Sequence, residues 1–510
     1  MSLAKVKSST VIGVNAHFVE VEVDVSSGLP SFTIVGLPDA AVQEAKERVR
    51  AAIRNTGFEF PIGRITVNLA PADIRKEGPA FDLPIAVGIL VATGAIHLTG
   101  KMAEAVYMGE LSLDGCLRPV NGVMPTALDM RSDKYPKLVV PRDNYCEAAL
   151  VDDVEVFPCR NLHEVAALVN GHYLPERPVV DTASDEDSLV GEDFSDVKGQ
   201  DAAKRAMEIA AAGGHNVLMI GPPGSGKTML ARRIPGILPQ MNQSEALEVT
   251  RIYSVRGLLV GNSSLINRRS FRSPHHTISN VALIGGGSYP LPGEVSLAHN
   301  GVLFLDELPE FKRDVLEVLR QPLEEGTVTI GRVAGTISYP AQFMLVAAMN
   351  PCKCGYYGDH TRSCVCTPTQ INQYLSRISG PLLDRIDMHI EMPRISQEQL
   401  MGRPDGESSL SIRERVQRAR MLQQERYAGR KFHCNAKMDS RSVRKYCRTG
   451  KDGTELLSRA MKSLGLSARA YDRILKVART IADLDGKDNL EATHIAEAVQ
   501  YRTLDRRYWA

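Results

Sequence analysis

The eight residues Gly221-Pro222-Pro223-Gly224-Ser225-Gly226-Lys227-Thr228 have types and spacing that chemistry explains better than chance. They fit G-x-x-x-x-G-K-[ST], a loop that cradles nucleotide phosphates. Glycine lets the backbone wrap closely enough to aim several N–H groups at one anion. Lys227 would reach the outer phosphates, and the Thr228 hydroxyl would ligate Mg²⁺. The apolar Val217-Leu218-Met219-Ile220 before the loop reads as a buried strand, and Met229-Leu230-Ala231 after it as the start of a helix. That is the setting the motif requires, so the expected cofactors are ATP and Mg²⁺.

About eighty residues on, Val302-Leu303-Phe304-Leu305 reads as a second buried strand, ending in Asp306-Glu307. Asp306 would orient the Mg²⁺, and Glu307 would activate the attacking water. Two acidic turn residues after a strand are common, but downstream of a phosphate loop the functional reading is the stronger one.

Cys352, Cys354, Cys364 and Cys366 form two Cys-x-Cys pairs separated by nine residues, a set suited to a structural tetrahedral Zn²⁺. The remaining cysteines are dispersed, and nine in a chain of this length do not suggest a disulfide framework. The run 328–337 reads as a hairpin with Arg332 near its tip. Such a residue could hold a nucleic-acid phosphate or guard an exposed strand edge. Arg268 and Arg269 are the other candidates for DNA contact. The adjacent His275 and His276 are weak candidates for metal ligands. Between 411 and 450 there are 12 Lys or Arg against 3 acids, a composition that suits either nucleic acid or a solvated helix face.

These groups need scaffolds. The length suggests about three domains. Residues 1–175 read as α/β, with strands at 10–17, 19–25, 31–35 and 65–69. A helix at 39–55 is capped by Asp39 and buries Ala41, Ala45, Val49, Ala52 and Ile53. Residues 176–195 read as a linker: from 179 to 197 there are seven acids and no Lys or Arg. Residues 196–395 hold the phosphate loop on a parallel α/β core, and 396–510 read as all-helical. Hydrophobic content of 43% and charged content of 24% are ordinary for a globular chain. A net charge of +1 means that any nucleic-acid surface comes from local clustering. The sequence has no apolar run of about 18 residues and its start lacks a signal-peptide core, so a cytoplasmic protein without a membrane span is expected.

Several motifs resemble those of AAA+ ATPases of the Mg-chelatase-like branch. Residues 1–175 resemble a Lon-protease-like domain through Arg75-Lys76-Glu77-Gly78-Pro79-Ala80-Phe81-Asp82 and Val120-Asn121-Gly122-Val123-Met124. Ala80 and Met124 stand where the peptidase has its serine and lysine, so the resemblance implies the fold without the peptidase chemistry. Ser112 and Lys101 are poor substitutes. The resemblance puts Gln200 near the adenine and gives Asn350 a role in sensing the γ-phosphate. It makes Arg385, in Ser379-Gly380-Pro381-Leu382-Leu383-Asp384-Arg385-Ile386-Asp387, an arginine finger for the next subunit. A salt bridge to Asp384 or Asp387 within the chain is the plainer alternative.

The helix 466–482, capped by Ser467 and burying Leu475, Ala478 and Ala482, resembles the second-sensor helix. Arg469 would meet the γ-phosphate, with Arg473 the runner-up. The segment carrying Arg268, Arg269, Arg272, His275, His276 and Gly285 to Gly287 resembles a helix-2 insert, and the Arg332 run a presensor hairpin. Together these features identify the chain as resembling the YifB/ComM family of Mg-chelatase-like AAA+ ATPases. The resemblance implies a homohexameric ring and, for ComM members, a DNA helicase that promotes branch migration of recombination intermediates in natural transformation. A protein-remodelling ATPase and a metal-chelatase-type motor are the alternatives.

Overall fold

The computed structural model describes residues 2–98, 100–132, 136–178, 192–259, 265–287, 290–332, 335–359, 362–395, 406–430 and 432–509. Most of the expected acidic linker, the residues 333–334 between the hairpin strands, and the side chains of Arg332 and Lys101 lie outside this description. The chain divides into two compact units. One is Met1–Ser184 with Ala246–Ile266, and the other is Asp185–Glu245 with Asn267–Ala510.

The first unit is built on a seven-stranded sheet. Its order is Ser31–Val35, Arg64–Ala70, Asn15–Ser26, Ser2–Ile12, Val106–Tyr107, Lys137–Pro141, Glu155–Cys159. The expected strand at 10–17 does not exist as such. Gly13, at φ 67°, turns the chain there, and Ser2–Ile12 pairs antiparallel with Asn15–Ser26 along its whole length. Helix Ala40–Asn55 is capped by Asp39, whose carboxylate accepts the Val42 N–H at 2.8 Å. Its buried face is Val42, Ala45, Val49, Ala52 and Ile53, with Val42 in the place expected for Ala41. Helix Asp82–Ala92 is buried on almost every side. It lies so close to the sheet that a Cβ on Gly88 would come 2.5 Å from the Val23 side chain. The inserted stretch 246–266 completes this unit. Arg251 forks onto Asp129 at 2.8 and 2.9 Å, and the Ser254 hydroxyl donates to buried Glu147 at 2.7 Å.

The second unit centres on a five-stranded parallel sheet in the order Phe271–Arg272, Val302–Leu305, Met344–Met349, Val217–Ile220, Met388–Glu391. The three central strands are buried at every residue. Continuous apolar runs of this kind are the signature of a parallel sheet covered on both faces. Helices Asp201–Gly213 and Lys227–Ile237 share a core with the C-terminal helices Ser409–Arg426 and Ala468–Leu484. A mixed α/β chain with a parallel core and a helical C-terminal part is therefore what the structure contains. The segment expected to form one long insert is divided: 246–266 belongs to the first unit, while Phe271–Arg272 is an edge strand of the core sheet. Among the described residues no helix is long and apolar enough to cross a membrane.

Asp82, the last residue of the Lon-like motif, pins the first unit internally. It is fully buried, accepts two bonds from Arg48 at 2.7 and 3.0 Å, and takes the Leu111 N–H at 3.2 Å. Burial raises its carboxyl pKa, and Arg48 opposes that shift. Arg48→Leu should leave a buried carboxylate without its cation and lower stability by about 3 kcal/mol. Urea unfolding would show an earlier midpoint for the first unit.

Candidate phosphate site and its distant partners

The sheet's polarity positions the site. Ile220 pairs with Met349, and Leu305 with Ala347, so Gly221, Asp306 and Asn350 all leave the same C-terminal edge. Gly221 tolerates no side chain, since a Cβ there would meet the Met392 carbonyl at 2.2 Å. Gly224 and Gly226 adopt φ values of 77° and 87°, which turn the loop over the N-terminus of helix Lys227–Ile237. Pro222, Pro223 and Ser225 complete the loop, and Gln200 Nε2 fastens it by donating to the Ser225 and Pro393 carbonyls at 3.2 and 2.6 Å.

Lys227 folds back onto its own loop. Its Nζ donates to the Gly221 and Pro222 carbonyls at 2.7 and 2.9 Å and to Asn350 Oδ1 at 3.2 Å. Burial pushes its pKa down to about 8, against the pull of Asp306 and Glu307. Thr228 Oγ1 donates to Asp306 Oδ2 at 2.7 Å, while Asp306 Oδ1 accepts the Glu307 N–H at 2.9 Å. The oxygens of Thr228 and Asp306 thus converge as hard donors suited to Mg²⁺. Glu307 is half-exposed and held at φ 51°, an unusual conformation for a residue with a side chain. Its carboxylate lies 3.7 Å from His276 Nδ1, and the His276 ring lies 4.1 Å from that of His275, tilted by 35°. Sequence reasoning gave these histidines no part beside Glu307, because the two segments come together only through the edge strand Phe271–Arg272.

Arg385 and Arg469 do not join this group. Val217 pairs with Met388, so Arg385 and Asp387 lie at the N-terminal edge of the sheet, a strand's length of roughly 13 Å from the phosphate loop. Asn216 anchors them, its side chain donating to the Arg385 carbonyl at 2.9 Å and its N–H to Asp387 at 3.0 Å. Arg469 lies 3.7 Å from Asp384 at this same edge, away from the phosphate loop of its own chain. Arg473 is committed to Asp387 at 3.0 Å. Burial would raise the Asp387 carboxyl, but a hydrogen bond with His215 and the charge of Arg473 outweigh it and hold the group well below the usual range. Arg385, Arg469, Arg473, Lys437, Lys476 and Glu324 line a cavity of about 340 Å³ here. The ion pair Arg385 makes within the chain is with Glu324, instead of Asp384 or Asp387.

The four cysteines do converge. Cys352 Sγ lies 3.3 Å from Cys354 and 3.6 Å from Cys364, Cys354 and Cys364 are 3.5 Å apart, and all four sulfurs, Cys366 included, fall within 4.8 Å. Zinc–sulfur bonds near ~2.3 Å in a tetrahedron place sulfurs about 3.8 Å apart, so the set fits Zn²⁺. Burial would raise the Cys354 thiol, but backbone N–H groups of Tyr356 and Val365 outweigh it and hold it at about 6. Burial pushes Cys364 up to about 12. Four thiols this close cannot all ionise without a cation among them.

Two expectations for DNA contact change. Arg269 is buried and spends its donors inward, on the Pro239, Gln240 and Asn300 carbonyls and on Glu245 at 2.5, 3.3, 2.7 and 3.0 Å. It is a structural staple, with four of its five donors spent inside the fold. Part of the basic stretch 411–450 is likewise internal: Arg426 forks onto Asp483, and Arg420 donates to the Ala211 and Ala212 carbonyls. Arg268 is half-buried. Arg332 ends the strand Thr327–Arg332, paired with Gly335 of Gly335–Pro340, so the hairpin itself is present.

The chain is similar in sequence to known proteins. Residues 193–400 match the family described as magnesium chelatase, subunit ChlI, residues 21–144 match subunit ChlI of Mg-chelatase, and residues 406–502 match its C-terminal region. The chain is 47% identical to competence protein ComM of Haemophilus influenzae, over 99% of this chain and 98% of the relative. It is 46% identical to YifB of Escherichia coli over the same shares. A stretch of 121 residues, 23% of this chain and 21% of the relative, is 29% identical to Lon protease 2 of Bacillus subtilis.

The cysteine geometry leads to a test. The purified chain should carry about one zinc by elemental analysis, and Cys354→Ser with Cys364→Ser should abolish it. Full zinc retention by that double variant would rule out the cluster as the metal site.

Proposed function

The chain belongs to the YifB/ComM family of Mg-chelatase-like AAA+ proteins, and on that premise we propose that it is an ATP-hydrolysing ring motor that acts on DNA. The observation that carries the reading is the division of charge between the two edges of the parallel sheet. Lys227, Thr228, Asp306, Glu307 and Asn350 gather at one edge, and Arg385 with Arg469 at the other. A phosphate held by the first group lies out of reach of the second group in the same chain. A neighbouring copy can supply it, so the site is complete only between subunits, and a homohexamer is the proposed assembly.

In this mechanism the loop N–H groups and Lys227 bind the β- and γ-phosphates, and Lys227 exchanges its carbonyl partners for phosphate oxygens. Thr228 and Asp306 would hold Mg²⁺, which supplies charge neutralisation between phosphate oxygens. Glu307 takes the proton of the attacking water while Asn350 orients that water. The neighbour's Arg385 and Arg469 offset charge on the transferring phosphoryl group. Arg332, on the hairpin Thr327–Pro340, and Arg268 are the candidate contacts to a DNA strand, which the cycle would move. The name of the Haemophilus relative supports a place in competence, and branch migration of recombination intermediates is the proposed task.

ATPase assays with branched, duplex and single-stranded DNA and with unfolded protein test the class. Branched DNA should stimulate most, and the effect should fall steeply with salt. Stimulation by unfolded protein alone would point to a protein-remodelling motor. The shared site has its own test: Lys227→Ala and Arg385→Ala should each be inactive, yet mixing them should restore part of the rate through interfaces with both residues intact.

The depressed Lys227 predicts a pH dependence of binding. Below pH 8 the free site is already protonated and ATP affinity should be flat. Above about 8 binding must bring a proton with it, because the phosphates favour the charged lysine. Affinity should therefore weaken up to tenfold per unit, with proton uptake visible by calorimetry in buffers of different ionisation enthalpy.

A further inference from the structure

Glu324 is an exposed acid that holds Arg385, a residue nine-tenths buried, by an ion pair through Nη2. The rest of that guanidinium is poorly served. Nη1 donates to the Pro381 carbonyl of its own turn, and the buried Nε has no hydrogen-bond partner among the described residues. The cavity beside it is lined by Lys437, Arg469, Arg473 and Lys476 and also by Glu324, Asp384, Asp387 and Asp472, so the argument for an outside acceptor is the one buried donor left unpaired in this resting arrangement.

Glu324's position in the chain gives the pair its meaning. It lies on the short helix Arg320–Glu325, and a single residue, Gly326, separates that helix from the strand Thr327–Arg332. The joint is tight. Gly326 N–H donates to the Pro322 carbonyl at 2.9 Å, its carbonyl accepts the Ala341 N–H at 2.8 Å, and a Cβ on it would come 2.9 Å from Gln342. Gln321 Nε2 reaches Thr329 Oγ1 on the hairpin strand at 3.4 Å. Helix and hairpin base are therefore one piece, and a tilt of the hairpin must displace Glu324. On the far side, Lys437 Nζ meets the Leu323 carbonyl at 3.5 Å and closes the cavity that also holds Arg469.

We propose that Glu324 is a positioning residue that restrains the arginine finger Arg385 in the absence of DNA and releases it when the hairpin Thr327–Pro340 is engaged. This deepens the proposed function and rests on its assignment of Arg385 to the neighbour's phosphate. Strand binding at the hairpin is then read out, through one helix, as permission for hydrolysis at the adjacent subunit. No new bond chemistry is involved: a carboxylate partner of Arg385 is exchanged for a phosphoryl oxygen.

The test is steady-state ATPase of the assembled full-length protein without DNA, for wild type, Glu324→Gln, Glu324→Lys, Arg385→Ala and Glu324→Gln with Arg385→Ala. Glu324→Gln should raise kcat about fivefold with KM for ATP unchanged, and Glu324→Lys at least as much. The gain should vanish in the double variant, which should match Arg385→Ala. A DNA-free kcat of Glu324→Gln at or below wild type overturns the restraint, as does a gain that survives loss of Arg385. Loss of the carboxylate beside a buried arginine should lower the melting temperature somewhat, so kcat is compared well below each variant's melting temperature and at wild-type ring mass. The wild-type response to branched DNA, measured alongside, tests the DNA motor separately. If it is absent the DNA reading fails, while the DNA-free rates still decide whether Glu324 restrains Arg385.

Discussion

A parallel sheet has two chemically different edges, and this constraint organises everything else in the second unit. Strands running the same way deliver every loop that follows a strand to one edge and every loop that precedes a strand to the other. The phosphate loop, Asp306 and Asn350 follow strands, while Asp387 and Arg385 precede one. Hydrogen bonds alone enforce the separation, because Val217 is locked to Met388 and Ile220 to Glu391. An arginine placed before the last strand cannot be brought to the loop after the first without dissolving the sheet. On the proposed reading, strand polarity is what assigns this arginine to a neighbouring copy's phosphate.

The cysteine cluster extends the loop edge. It starts two residues past Asn350, and a Cβ on Gly355 would lie 2.6 Å from Pro223 Cδ. The loop that carries the thiols is therefore packed on the loop that would carry the phosphate. Loops so rich in glycine, tyrosine and aspartate have little apolar surface with which to fix themselves. Four ligands to one ion would supply the order that burial cannot. On this view the cluster supports a phosphate site whose glycines leave it short of side-chain packing.

Much of this was legible in the sequence for a physical reason: the informative residues are neighbours in the chain. The phosphate loop, the buried strands, the Asp39 and Ser467 caps and the paired cysteines each announce themselves within a few positions. Misreadings arose where a residue's partner is remote. Arg269 looked like a DNA contact because its sequence neighbours are basic, yet its partners Pro239, Gln240 and Asn300 are about thirty residues away on either side. The helix that carries Arg469 was legible from its cap and buried face, but which strand ends it faces was not, since a helix pattern does not specify that. His276 beside Glu307 has no local signature at all.

The stretch 246–266 shows the same limit at the scale of a domain. It follows the phosphate-loop helix in sequence, so position alone assigns it to the nucleotide core. Its polar groups decide otherwise. Arg251 is met by Asp129, Ser254 by a glutamate that burial pushes up in pKa, and the Gly122 N–H by the Ser254 carbonyl. A carboxyl as buried as Glu147 is costly unless its hydrogen bonds are made, and Ser254 and Asn144 make them. The first unit is therefore incomplete as the N-terminal segment alone, because one of its buried acids draws a partner from more than a hundred residues downstream. A helix that begins at Gln243 in one compact unit ends at Arg256 within the other.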